Sequence, residues 1–577
     1  EPESTFYPLY NVSQVEVIKG PSSFLYGGNP LSGAVQLVRR QPVSKTFANF
    51  TLGYGRYGTY DASFDGNAAT GDGKVAFRLN ATTQGTDNYR DVGDGSLKAV
   101  NPALTWRPDD RTRLALDYEY VESRFPPDTG LPYVGQENPT LAPVERTTSY
   151  QSPFDKSEQE VQRFRFVAER EIGSGLTLRN RFYYTELTWD SDGTLIVGAF
   201  PGPGGSLLVG RTLALLDDRQ KLLGNQLELS ASFATGSVQH ELLTGFEIQS
   251  LKDRFTQEVG LLPPISLVDP VETAEPPIIT IPPFAQAGDS STLVVAPYLV
   301  DRLRFSEKVQ AFVGARLDAL DFEDPLNDTE RDSTKVNPLL GLVYAPTGDL
   351  SFHASWGTAT APPSTQVVGD REPEESRQAE LGAKLTFLGG RGFAGFAVYD
   401  LERRNIAIPD STGITRQDGD QRSRGLEVDL TIEPSRGWSV QGTYAFTDSE
   451  LTSFAEIVQL QPPDFVVVDH SGNTAPFAPR HLAGLWVSKR FDFGLGLALG
   501  LRHVGEQYIA PDNRAAIDSY TTLGGTVSYT KNRWGLRVHL RNITGTEYET
   551  RGFGSASAIP ARPFEARARL EFGFGEL

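Results

Sequence analysis

The strongest constraint on this chain is a charged face that recurs on strand after strand. Along residues 564–574, Phe564, Ala566, Ala568, Leu570, Phe572 and Phe574 alternate with Glu565, Arg567, Arg569 and Glu571. Leu536, Val538 and Leu540 alternate with Arg537, His539 and Arg541, and Leu114, Leu116, Tyr118 and Tyr120 with Arg113, Asp117 and Glu119. Successive side chains of a strand point to opposite faces. A sheet with one apolar and one charged face on so many strands is no sandwich core. It fits a wall with an apolar exterior and a polar lumen. About twenty-two such strands can be placed between residues 46 and 574. The connections between them segregate by length. Tight turns fall at 108–110, 173–174, 306–307, 389–390 and 531–532, and long loops at 124–158, 191–218, 255–290, 450–477 and 544–562. Short turns at one rim and long loops at the other are the pattern of an outer-membrane barrel. The first loop, at Tyr57–Gly58, is the short exception.

Composition narrows the alternatives. A net charge of −19 disfavours nucleic acid, whose phosphates it would repel. With no cysteine there is no disulfide and no thiolate metal site. No run of 18 apolar residues is present, so no transmembrane helix is expected, a test that barrel strands escape. The 577 residues contain no methionine, where ordinary usage would place roughly a dozen. The chain opens at Glu1 without a secretory leader. The first feature suggests that methionines have been lost or replaced, and the second that an amino-terminal part lies outside this sequence.

Ahead of the strands lies Tyr10–Pro42, two short apolar strands (Val15–Ile18 and Ala34–Val38) around a loop rich in glycine and proline. An even strand number brings both barrel ends to the short-turn rim, where this stretch enters. A barrel of this size has a lumen wide enough to need a plug. The expected architecture is therefore all-β: a 22-stranded antiparallel transmembrane β-barrel (43–577) with an internal plug domain, of which 1–42 is the carboxyl-terminal part.

The sequence VSQVEVIKGPSSFLYGGNPLSGAVQLVRRQP resembles the plug of the TonB-dependent outer-membrane receptors, siderophore-receptor branch. LSFHASWGTATAPPS, ESRQAELGAKLTF, RSRGLEVDLTI, APRHLAGLWVSKRF, LRVHLRNITGTEYE and RARLEFGF resemble barrel strands of that family in the same order. The resemblance implies energised uptake of a ferric siderophore or similar bulky nutrient, with a TonB-type protein as partner and outer-membrane lipids as surroundings. Iron would arrive inside the chelate, so no cofactor is implied. The segment that a TonB-type partner grasps is not in this sequence. The same fold with haem, cobalamin, a nickel chelate or an oligosaccharide as cargo is an alternative, as is a passive channel or structural component.

No catalytic constellation stands out, and no enzyme activity is expected. The six histidines are scattered without metal-ligand spacing, and Ser32 is not in a nucleophile elbow. The acidic stretch 321–332 lacks a calcium-loop pattern. The resemblance implies charge pairing between plug cations (Lys19, Arg39, Arg40) and wall carboxylates at Glu380 and Glu427. It also implies an aromatic facing the ligand near Tyr7 and Tyr10. The apolar, proline-rich stretch 261–284, with Ile278, Ile279, Ile281 and Phe284, is a candidate lid.

Overall fold

The structure, a computed structural model, describes residues 7–20, 31–135, 139–272, 278–279, 286–364, 371–409, 415–461 and 464–575. Strands β1 (Val12–Lys19) and β2 (Gly33–Arg39) form an antiparallel hairpin. Twenty-two further strands close into one antiparallel barrel. They are β3 (Phe47–Gly55), β4 (Tyr60–Ala69), β5 (Val75–Thr86), β6 (Gly95–Asp109), β7 (Thr112–Arg124), β8 (Lys156–Gly173), β9 (Leu176–Pro201), β10 (Leu207–Thr235), β11 (Val238–Ser266), β12 (Gln286–Arg304) and β13 (Val309–Asp324). The second half of the ring is β14 (Thr329–Tyr344), β15 (Leu350–Ala361), β16 (Glu374–Phe387), β17 (Gly392–Pro409), β18 (Thr415–Ile432), β19 (Trp438–Ser453), β20 (His481–Arg490), β21 (Leu495–Val504), β22 (Tyr520–Lys531), β23 (Trp534–Arg541) and β24 (Glu565–Gly575).

Closure is made by β3 against β24, with Phe50 opposite Phe572 and Leu52 opposite Leu570. It removes the unpaired edges that an open sheet would present to lipid. The two faces separate as the alternation requires. Leu52, Tyr54, Trp106, Leu227, Phe246, Leu342, Leu499 and Phe574 are exposed on the outside. Asn80, Asn101, Glu119, Arg163 and Arg316 are buried on the inside. No described helix is long and apolar enough to cross a membrane, so the strands do the crossing. At the short first loop, Tyr57 and Gly58 both take the left-handed conformation (φ 59° and 58°), the geometry of a two-residue hairpin turn.

Two of the expected long loops are largely strand. β10 and β11 are 29 residues each, although about 9–11 residues suffice to cross a bilayer. They rise far beyond the membrane, and their upper ends are held by packing. Ile196, Val209, Ile265 and Leu267 form a buried cluster with Leu131, Ala142 and Tyr150 from the loop after β7. Short strands in that loop (Leu131–Val134) pair with Ser557–Pro560 of the last loop, which pairs with Glu549–Phe553. The two loops meet over the short connections between β3 and β6.

The candidate lid stretch is described only in part. Residues 261–266 belong to β11, and Leu262, Ile265 and Leu267 are buried, while Val268 and Val271 are exposed. Ile278 and Ile279 pair with Leu261 and Gly260. Their side chains, with Ile281 and Phe284, lie outside the described residues.

Candidate functional site

The hairpin is held by cations at its two ends. The Lys19 ammonium reaches Glu427, and lies 3.3 Å from Asp429, both on β18. At the other end Arg39 donates to Asp117 (2.6 Å) and Glu119 (2.8 Å) on β7, and Arg40 to Asp65 (2.9 Å) on β4. Strands β7 and β18 are eleven apart in a ring of 22, half its circumference. A two-stranded hairpin that touches both must lie across the lumen.

The two ends differ in burial. Among the described residues Arg39, Asp117, Glu119 and Arg163 form a set of two guanidiniums and two carboxylates, with Arg163 donating to Glu119 at 2.7 Å. Asn11 and Asn101 each donate to a remaining carboxylate oxygen at 2.9 Å. All six side chains are buried. Buried charges are tolerated when every one is paired and hydrogen-bonded. Lys19 is about half exposed, at 48%. Burial alone would lower its basicity, but hydrogen bonding and attraction from Glu427 and Asp429 outweigh it and raise it above the usual lysine value.

Glu380 does not meet a plug cation among the described residues. Its carboxylate lies 3.2 Å from His353 Nε2 and accepts from Gln378 at 3.1 Å. Strand β16 instead seats the hairpin through Ser376, which donates to the Leu31 carbonyl, and Gln378, against which Gly20 packs. Tyr7 and Tyr10 are at the seam with the wall. The Arg163 guanidinium lies 4.2 Å from the centre of the Tyr7 ring. Tyr10 packs with Trp189 on the cluster Leu97, Ala99, Val121, Val161 and Leu187. Burial, then the Glu119 charge, pushes the Tyr10 phenol far above its usual range. Neither ring lines the large cavity described next.

That cavity, about 1270 Å³, lies between the hairpin, the β18–β24 wall and the loop roof. Lys19, Glu427 and Asp429 border it at the hairpin, Trp486, Arg502 and Arg541 on the wall, and Tyr89, Arg90, Tyr548 and Arg562 above. The roof is ordered from within. Buried Arg90 donates to Asp128 (2.8 Å) and to the carbonyls of Gly130 and Thr148. Tyr548 stacks on Tyr520 with ring centres 4.0 Å apart. Guanidiniums beside aromatic faces suit a bulky ligand with both anionic oxygens and apolar surface. Among the described residues no cluster of His, Asp and Glu could hold a metal ion.

The alternation had placed Asp117 and Glu119 on the polar face of their strand. Their selection as plug partners depends on ring position, which the residues of β7 do not encode. Arg163 carried the same polar-face signal but no mark of its role. The chamber comes from loops that meet across hundreds of residues.

Known proteins agree with this architecture. The family described as TonB dependent receptor-like, beta-barrel, matches residues 101–543. The ferrioxamine B receptor of Salmonella typhimurium is 27% identical, the alignment covering 93% of this chain and 76% of that protein. The ferrichrome outer membrane transporter/phage receptor of Escherichia coli is 24% identical over 98% and 79%. Among solved structures, the siderophore receptor PiuA from Acinetobacter baumannii superposes with a TM-score of 0.89 at 21% identity, covering 98% of this chain and 87% of that one. The closed form of the ferric-catecholate import receptor Fiu from E. coli gives 0.85 at 21%, with the same coverage. A closed 22-stranded barrel, a hairpin braced across its lumen and a family match over most of the chain lead to one conclusion: this protein belongs to the TonB-dependent receptors of the outer membrane.

Proposed function

We propose that this receptor binds a ferric siderophore in the chamber beneath the loop roof and imports it when a TonB-type partner, driven by the inner-membrane proton gradient, rearranges the plug. The observation that carries this reading is the unequal bracing of the hairpin. The β7 end is locked by a buried, neutral charge set, and the β18 end is held by a half-exposed lysine beside the chamber. Solvated ion pairs are individually weak, so the Lys19 end can yield while the Arg39 end stays seated. That asymmetry fits a plug that opens a path along one wall. Arg502, Arg541 and Tyr548, which stacks on Tyr520, would take the anionic and apolar parts of the chelate.

Iron is cargo in this reading, carried inside the chelate, and no residue forms a covalent bond to it. The test is uptake of radiolabelled iron by cells expressing the complete receptor, offered as ferric hydroxamate or ferric catecholate chelates, with and without a proton uncoupler. Saturable, uncoupler-sensitive uptake of one chelate class is expected. Uptake indifferent to the uncoupler, or no binding of any ferric chelate to the purified receptor, would refute the reading.

A further inference from the structure

The wall over β20–β24 runs against the charge of the rest of the chain. The net charge is −19, yet these five strands hold eight lysines and arginines and only two carboxylates, Glu565 and Glu571. The cross-strand registers gather the arginines of β23 and β24 into one patch. Arg537 stands directly opposite Arg569, His539 opposite Arg567, and Arg541 opposite Glu565. These residues face the lumen, since Leu536, Val538 and Leu540 take the other face of β23. Like charges set directly opposite each other are destabilising, and a bound anion relieves them.

The carboxylates within reach do not balance the patch. Buried Asp61 of β4 crosses β3 at Gly53 and is shared by Arg567 and Arg569, 3.2 Å from the latter. A Cβ at Gly53 would stand 1.8 Å from Asp61 Oδ1, so glycine is what lets the carboxylate cross. Glu565 is likewise shared, by Arg562 (3.0 Å) and Arg541 (4.0 Å), and Glu571 holds Arg537 (3.3 Å). Arg502 has no carboxylate partner among the described residues. Among those residues six guanidiniums thus meet three carboxylates, while Glu427 and Asp429 across the chamber are taken up by Lys19. Arg537, Arg567 and Arg569 each spend one nitrogen on a carboxylate and keep the rest of their five N–H donors. The patch descends from the chamber. Arg502 and Arg541 border the chamber, His539 and Arg567 lie one pleat nearer the short-turn rim, and Arg537 and Arg569 two. At two residues per roughly 7 Å, the lowest pair is roughly 14 Å beneath Arg541. Beside this column the inner face of β21 and β22 carries only small side chains, Gly500, Ala498 and Gly496 opposite Gly524, Thr526 and Ser528.

On the transport reading above, we propose that Arg537, Arg567 and Arg569, with His539 beside them, form a second binding station for the cargo beneath the chamber, and that the cargo is a ferric chelate of net negative charge. A ferric tris-catecholate fits, because its doubly ionised rings outweigh the charge of the iron. A neutral ferric tris-hydroxamate gives the arginines no net charge to hold. The planar guanidiniums meet chelate oxygens two at a time, and Asp61 and Glu571 hold them in place. Passing from Arg502 and Arg541 to the lower arginines keeps the anion paired at each step while the plug yields at Lys19. The small side chains of β21 and β22 leave room for a bulky chelate beside the column.

The experiment offers cells expressing the complete receptor radiolabelled iron as the tris-catecholate or the tris-hydroxamate, and reads binding separately by fluorescence quenching on the purified receptor. The parent should import the tris-catecholate about tenfold or more faster than the tris-hydroxamate, the scale of electrostatic steering. D61N/R567Q/R569Q removes the buried carboxylate together with its guanidiniums, so no charge is orphaned. It should keep the parent's affinity for the tris-catecholate and lose about tenfold or more in import rate. R537Q should lose part of the rate, R567K/R569K should retain more of it than D61N/R567Q/R569Q, and K531Q, on the outer face, should lose none. Heat-modified migration on a gel confirms that each variant barrel is closed, and hydrogen exchange over β1 and β2 should match the parent. Equal import of the two chelates by the parent, or an unchanged rate in D61N/R567Q/R569Q, would overturn the station and leave the transport reading standing. Faster exchange of the hairpin in D61N/R567Q/R569Q would overturn it too, by making these arginines plug contacts. A parent that binds and imports no ferric chelate would refute the transport reading, and the station with it.

Discussion

Replacing Arg39 with methionine would take from Asp117 and Glu119, both buried, one of the two guanidiniums of the set, leaving Arg163 on Glu119 and Asn101 on Asp117. These four groups together would change from neutral to a net charge of −1 in a buried site. Removing one partner of a buried ion pair costs about 3–5 kcal/mol, because the other charge stays behind. Lys19→Met removes a pair whose cation is half exposed, worth about 0.2–1 kcal/mol. At 1.4 kcal/mol per tenfold, the local opening constant of the hairpin should rise roughly 10²- to 10⁴-fold in Arg39→Met and less than about tenfold in Lys19→Met. Native-state hydrogen exchange at the paired amides of β1 and β2 reads this directly. The double variant Arg39→Met/Asp117→Asn restores neutrality and should recover most of the protection. Equal exchange rates in Arg39→Met and Lys19→Met, or no recovery in the double variant, would refute the assignment of the two ends.

Three further outcomes follow from other contacts. Gly33→Ala would set a Cβ 2.6 Å from the Ile18 carbonyl oxygen, a backbone atom that cannot step aside. It should loosen the hairpin by about 1–3 kcal/mol, seen as faster proteolysis within the first 45 residues at an unchanged barrel melting temperature. Burial raises the Tyr133 and Tyr150 phenols to about 12, above their value near 10 in the unfolded chain. A raised phenol contributes stability that is complete below pH 10 and lost as pH climbs toward 12. Ultraviolet titration should therefore show a late-ionising component that Tyr133→Phe and Tyr150→Phe each reduce, with the roof loops loosening across that window; ionisation of both near pH 10 would contradict the packed cap. Arg502→Glu should weaken chelate binding by about tenfold or more without altering hairpin exchange, measured by fluorescence quenching on the purified receptor. Unchanged affinity would remove that wall from the binding surface.

Residue order alone determined a great deal here. The alternation of Leu536, Val538 and Leu540 with Arg537, His539 and Arg541 can satisfy both faces only in a barrel with lipid outside and water inside. Turn and loop lengths set the two rims, and the two short strands ahead of β3 read as part of a plug. All of this is local information, carried by period two and by turn chemistry. The tertiary structure decided which carboxylates meet the hairpin and how far the strands continue. Asp117, Glu119 and Glu380 look alike as charged residues on polar faces. Two of them clasp Arg39 and one turns to His353, because ring position and register place them at different points around the lumen. The stretch from Leu207 to Leu216 lacks a clean alternation, since the upper barrel packs against loops as well as solvent, and so it read as loop. The roof follows the same rule: Leu131–Val134 and Ser557–Pro560 form a sheet only once ring closure has brought strands from the two ends of the chain side by side. Such pairings are set by closure of the whole ring, a property that no single strand carries.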